Sequence, residues 1–157
     1  PDADGVVETS GQRCSMIEVD RNGFEVLSVD ECLRLLGTVS LGRVATHTSA
    51  LPIILPVQFA LAAPGIVFRT NVGTKLNAAA RNAVVAFEAD HIDERGRFGW
   101  SVLVTGLATE ITDPAELAEA RSLTLGHLAT RASRYVSISL GLVSGRRSLP
   151  QQQPRPP

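Results

Sequence analysis

The chain has 157 residues, 44% apolar and 20% charged, with a formal net charge of −1, which suits a single domain with a real hydrophobic core. Near-neutrality excludes a broad electrostatic footprint for DNA or RNA, and no apolar run approaches the roughly 20 residues that a membrane-spanning helix needs. Cys14 and Cys32 are the only cysteines, and without a CxxC or a Cys–His cluster they indicate neither a structural zinc nor a redox pair.

Residues 1–23 carry Gly, Asp, Ser and Arg without sustained periodicity and read as a flexible leader. They lack the basic-then-apolar layout of a secretory signal, so a cytoplasmic location is the expectation. Ser28 followed by Glu31 forms a capping-box pattern. Cys32, Leu33, Leu35 and Leu36 then supply an apolar helix face that ends at Gly37, which makes Cys32 a buried thiol. Val39 to Thr46 follows as a strand, in which Gly42 marks a bulge or a close approach by another group. Leu51 to Ala62 is a second strand. Pro52 and Pro56 inside it require an edge, a bulge or an unpaired N–H.

Pro64-Gly65 turns the chain into a third strand at Ile66-Val67-Phe68. This strand runs into Arg69-Thr70-Asn71-Val72-Gly73-Thr74-Lys75-Leu76. Gly73 suits a tight turn, Thr74 suits an N-cap, and residues 75–81 read as a helix. Two readings fit these residues. Lys75 lies in solvent on an ordinary strand–turn–helix, or the helix N–H groups, the Thr74 hydroxyl and the Lys75 ammonium converge on a phosphate.

Ala83 to Ala89 is a strongly apolar strand, Asp90 to Phe98 a polar loop, and Trp100 to Ile111 the longest strand. Thr112-Asp113-Pro114 opens a further helix with a polar cap and a proline in the first turn. Tyr135 to Ser148 supplies one or two last strands, and the Pro/Gln tail 150–157 reads as disordered. Several antiparallel-type strands with only short helices predict a closed barrel.

Arg43-Val44-Ala45-Thr46, Pro56-Val57-Gln58-Phe59, Phe68-Arg69-Thr70, Gly73-Thr74-Lys75-Leu76 and Gly99-Trp100-Ser101-Val102 occur in an order and spacing that resembles the pyridoxamine 5'-phosphate oxidase-like family of flavin-binding split barrels. The likeness is greatest to its small actinobacterial-type members and covers Val26 to about Ser148. It implies a mainly β fold: a six-stranded antiparallel split β-barrel with short flanking helices, spanning residues 24–149. It also implies a homodimer with FMN in a groove between subunits.

By the same resemblance, Arg69, Thr70, Thr74 and Lys75 contact the ribityl phosphate, and Arg43, Val44, Ala45 and Thr46 pass beside the isoalloxazine ring with Pro56 and Val57. Trp100 and Ser101 would lie near the flavin at the subunit boundary. Each has a plainer alternative: Arg69 as a rim arginine, Val44 and Ala45 as core, Trp100 as a plug for the barrel end. The implied reaction is electron or hydride transfer to a small-molecule substrate, with the cofactor supplying the redox chemistry. Oxidation of pyridoxamine phosphate itself is less expected, because only Arg146-Arg147 stands ready in the C-terminal part to grip a substrate phosphate. The same fold could take a deazaflavin coenzyme. A non-enzymatic flavin- or haem-binding dimer is the other alternative, with His47 as the one faint axial ligand. No histidine spacing indicates a metal site.

Overall fold

In the computed structural model, the residues described are 17–48, 51–63, 65–71, 82–93, 98–126 and 134–149. The expected phosphate turn and its helix at 72–81, the tail 150–157, and Cys14 fall outside them. The elements are β1 (Phe24–Val26), α1 (Val29–Leu36), β2 (Leu41–Thr48), β3 (Leu51–Ala62), β4 (Gly65–Thr70), β5 (Ala83–Ile92), β6 (Gly99–Glu110), α2 (Pro114–Ser122), β7 (Arg134–Ser139) and β8 (Leu142–Ser148).

The strands run β1-β8-β6-β5-β2-β3-β4-β7, and β7 returns to pair with β6. This extra pairing closes a ring of six strands, β2 to β7, with every ladder antiparallel. The predicted six-stranded barrel with short helices is therefore present. Closure depends on β6 changing partners along its length. Its first half pairs with β8, from Trp100↔Arg147 to Thr105↔Leu142, and its last residues pair with β7, from Ala108↔Ile138 to Glu110↔Val136. β8 and β1 thus form a flap outside the ring. Residues 17–23, read from sequence as the end of a leader, continue that flap as a hairpin arm through the Val19↔Glu25 bridge.

Period-two alternation sorts the side chains. Gly42, Val44 and Thr46 of β2, Val85, Phe87 and Ala89 of β5, and Trp100, Val102 and Val104 of β6 are buried inside. Gly42 is the close approach anticipated from sequence: a Cβ there would lie 2.3 Å from the Phe87 ring. That ring also meets Phe59 edge-on at 4.7 Å between centroids, a favoured aromatic geometry. The prolines of β3 are explained by its pairing. β3 meets β4 only over Phe59–Ala62, so Pro52 and Pro56 sit where one side of β3 is an edge and their missing N–H groups cost no ladder bond.

α1 packs Cys32, Leu35 and Leu36 into the main core. Cys32 is fully buried, and desolvation pushes its thiol pKa up. The helix ends at Gly37 with a φ of −66°, an ordinary helical value, so this glycine is not demanded by a left-handed turn. The capping box forms by half. Ser28 Oγ accepts from the Glu31 N–H at 3.3 Å, but the Glu31 carboxylate does not reach back. It accepts instead from Arg34 at 2.7 and 2.9 Å and from Arg147 of β8 at 2.7 Å. Arg147 also holds Glu25 of β1, so one guanidinium ties α1 and β1 to β8.

The Arg34 guanidinium, with help from Arg147, holds the Glu31 carboxyl down to about 2 from its ordinary 4.5. A depressed carboxyl contributes stability that is fully present above its unfolded value and is lost as pH falls through the folded one. The thermal-midpoint difference between wild type and Glu31→Gln should therefore be largest near neutrality and shrink between about pH 4.5 and 2. Thermal melts across that range check this, and a difference unchanged at pH 2 would remove Glu31 from the acid response.

α2 starts as the sequence predicts. Asp113 caps it, accepting from Ala115 and Glu116 N–H at 2.9 and 3.0 Å. It covers the outside of β4, where Ala120 packs with Val67 and Ile111 as a smaller core.

Candidate functional site

The twelve residues singled out from sequence divide by strand alternation. Val44, Thr46, Val57 and Trp100 point into the barrel and are buried. Arg43, Ala45, Pro56 and Ser101 point outward, onto one face that spans β3, β2, β5, β6 and β8. Rows of paired residues fix that face. One row runs Ile54–Ala45–Ala86–Thr105–Leu142, the next Pro56–Arg43–Glu88–Leu103–Ser144. Asp90–Ser101–Arg146–Val26 follows on the flap side.

This face is apolar at one end and charged at the other. Ile54, Val84, Leu103, Leu107 and Leu142 are exposed by 43 to 67%, and Val84 is directly opposite Leu107. At the charged end Arg43 donates to Glu88 at 2.9 Å and to Asp90 at 2.6 Å. These bonds, Asp90 first, raise the pKa of the guanidinium above its ordinary value. Arg146 lies 3.1 Å from Asp20. Backbone bonds from Phe24 and Asn22, aided by Arg146, lower the Asp20 pKa.

The β2 backbone is less available than the sequence suggested. Arg43, Val44 and Ala45 are paired with β3 on one side and β5 on the other, so their N–H groups serve the ladders. Pairing with β5 stops at Ala45↔Ala86 while pairing with β3 continues to Thr48↔Leu51. Beyond Ala45 the barrel wall opens between β2 and β5. Thr46 stands at that opening with its Oγ1 buried and without a partner among the described residues. A buried hydroxyl left unmatched is costly, and this is the atom on β2 that a polar ligand would satisfy.

Arg69 and Thr70 end β4, opposite Tyr135 and Arg134. Arg69 donates from Nη2 to the carbonyls of Leu125 and Gly126 at 3.1 and 2.9 Å, so it anchors the segment after α2 and does not lie loose on a rim. Its Nε is buried and lacks a partner among the described residues. Thr70 is buried. Thr74 and Lys75 lie outside the described residues. Trp100, 8% exposed, belongs to the main core and also walls the groove at the charged end. His47 is exposed on β2 opposite Pro52.

Sequence reasoning missed Phe24, Glu88, Asp90 and Phe98, which line the same groove together with Arg146, named from sequence only as a candidate for a substrate phosphate. Alternation in Val85-Glu88-Asp90 was the available signal: with Val85, Phe87 and Ala89 inside, Glu88 and Asp90 had to face out beside Arg43. Placing Asp90 to Ile92 in a loop hid it, whereas β5 continues to Ile92. Among the described residues no cluster of three His, Cys, Asp or Glu side chains could hold a metal, and no helix is long and apolar enough to cross a membrane.

The sequence pattern of the family described as pyridoxamine 5'-phosphate oxidase matches residues 28–147. An uncharacterized protein of Mycobacterium tuberculosis is 38% identical over 137 residues, 84% of this chain and 85% of the relative. A solved structure of the FAD binding protein from Mycobacterium smegmatis is 39% identical, covering 78% of this chain and 97% of that one with a TM-score of 0.69. A conserved protein of unknown function from Corynebacterium diphtheriae is 30% identical, covering 80% and 98%, with a TM-score of 0.67.

Proposed function

Because this chain belongs to the pyridoxamine 5'-phosphate oxidase family, we propose that it is a flavin-dependent oxidoreductase that binds FMN, or the FMN moiety of FAD, at the boundary between two copies. The observation that carries the reading is the 39% identity to the FAD binding protein of Mycobacterium smegmatis across nearly all of that chain. The residues fit the group. Thr46 Oγ1 and Arg69 Nε are buried donors without partners among the described residues, and they belong to the strands that the resemblance assigns to ring and phosphate.

In this reading Thr74 and Lys75, after β4, hold the phosphate with Arg69 and Thr70. Thr46, at the opening beside β5, offers its hydroxyl to the ring, while Ala45 and Pro56 leave room on the outer face. Arg43 orders that face through Glu88 and Asp90. Ser101 and Trp100 serve from the neighbouring strands at the subunit boundary. The bound flavin supplies hydride or electron transfer; the chain supplies position, exclusion of water and electrostatics.

A second copy is the partner that the exposed apolar end of the face fits best. Monomers rarely leave contiguous large apolar patches uncovered, and the two-fold pairing of one patch with itself is the commonest closed assembly.

Titration of the purified protein with FMN and with FAD, read by flavin absorption and fluorescence, tests the function. Saturable binding is expected, weakened roughly tenfold or more by Lys75→Ala, as loss of a charged phosphate contact of about 1.5–3 kcal/mol requires. Equal binding by both proteins would remove Lys75 from the phosphate role. Failure of wild type to bind either flavin would overturn the assignment.

A further inference from the structure

The charged end of the outer face holds a groove of about 580 Å³, walled by Phe24, Ile92, Phe98 and Trp100. Its position follows from strand order. Arg69 and Thr70, assigned above to the phosphate, end β4, and the residues assigned to the ring side lie on β3, β2 and β6. The groove begins at Arg43 on β2 and continues over β5, β6, β8 and β1, and neither Arg69 nor Thr70 of β4 lines it. It therefore reaches the ring side of the proposed flavin site, sharing Arg43, Trp100 and Ser101 with it, which is where a molecule exchanging electrons with the ring must sit.

Its chemistry is unusual for a family associated with a phosphorylated substrate. The groove has two guanidiniums, and both are already engaged: Arg43 by Glu88 and Asp90, Arg146 by Asp20. Three carboxylates thus face two guanidiniums. A phosphate dianion entering the groove would have to break an existing pair and then stand beside the displaced carboxylates, a repulsive arrangement that works against binding. The aromatic and aliphatic walls favour flat apolar surface instead.

We propose that this groove is the substrate subsite and that it selects planar, uncharged aromatic molecules while rejecting phosphorylated ones. Its standing as a substrate subsite rests on the flavin reading; its selectivity does not.

Calorimetric titration with 2-naphthol and with 2-naphthyl phosphate, which share one ring system and differ in the phosphate, separates the possibilities. Each is run with and without saturating FMN. Naphthol is expected to bind at least tenfold more tightly than its phosphate ester, and equally well in the presence of FMN. Phe98→Ala should weaken naphthol about three- to tenfold and leave FMN affinity within about twofold. Phe98 keeps its fold role in that variant, because its bonds to Asp93 are made by backbone atoms. The double variant Glu88→Gln, Asp90→Asn releases Arg43 and should raise affinity for the phosphate ester roughly tenfold.

Equal or tighter binding of naphthyl phosphate by wild type, or no naphthol binding, would overturn the proposal. Displacement of naphthol by FMN would overturn it too, by making the groove part of the cofactor's own bed. If no flavin binds while naphthol still outcompetes its ester, the flavin reading fails and the groove's selectivity stands.

Discussion

Gly106→Ala is expected to yield a protein whose melting temperature falls by roughly 6–12 °C, or one that does not fold. β6 changes partner here, from β8 to β7, and the backbones meet more closely than a side chain allows. A Cβ at Gly106 would lie 1.8 Å from the Ser139 carbonyl oxygen and 2.8 Å from its carbon. The obstacle is backbone, so no rotamer change relieves it. Relief requires β7 to move off β6, which gives up the bond from the Leu107 N–H to Ser139 Oγ at 3.0 Å and the pairing that closes the ring. Overpacking with lost hydrogen bonds costs more than about 3 kcal/mol, a large share of the roughly 5–15 kcal/mol that holds a domain folded. For a chain of this size each kcal/mol is about 2–4 °C. Gly37→Ala is the matched control: at an ordinary helical φ, its Cβ would meet nothing closer than 3.4 Å, so the midpoint should hold or rise slightly. Equal midpoints for the two variants would show that the seam is not tight.

Leu107→Asp is expected to convert the proposed dimer into a monomer, with dissociation at least a hundredfold more favourable, and to weaken flavin binding with it. Leu107 lies opposite Val84 on the apolar end of the outer face and is 43% exposed in a single copy. In a lone copy the aspartate is solvated, so melting behaviour should change little. In the proposed dimer the same carboxylate would be buried against apolar side chains without a partner, a cost of several kcal/mol. Sedimentation of both proteins, with and without FMN, reads the outcome. A Leu107→Asp protein that remains dimeric would place the interface elsewhere. A monomer with undiminished flavin affinity would show that one copy completes the site.

These two variants probe different levels of the architecture. Gly106 belongs to ring closure and acts within one copy. Leu107 belongs to the face that closure creates, because a barrel turns half of each strand outward whether or not the side chains are polar.

How far the sequence carried can be judged on particular residues. β3 was legible to its end residues, and its two prolines correctly announced an edge, since proline lacks the donor that a ladder consumes. The caps of both described helices were legible because capping is a local hydrogen-bond matter of three or four residues. Gly42 announced a close approach, although not that Phe87, 45 positions later, makes it. Among the candidate site residues, order and spacing identified strands but not sides. Arg43 and Ala45 face out and Val44 and Thr46 face in, and that follows only from register.

By itself the sequence determined the strand-rich class, the helix starts, the buried thiol and the family, all of which depend on local pattern or on motifs in order. The tertiary structure decided what depends on distant residues meeting. It decided that Arg147 ties together Glu25 and Glu31, and that Arg69 anchors the carbonyls of Leu125 and Gly126 through Nη2 while its Nε stays without a partner among the described residues. It also decided that Arg43 is neutralised by Glu88 and Asp90 beside an aromatic groove. Strand pairing and barrel closure bring these groups within bonding distance, and no spacing along the chain encodes which pairs will meet.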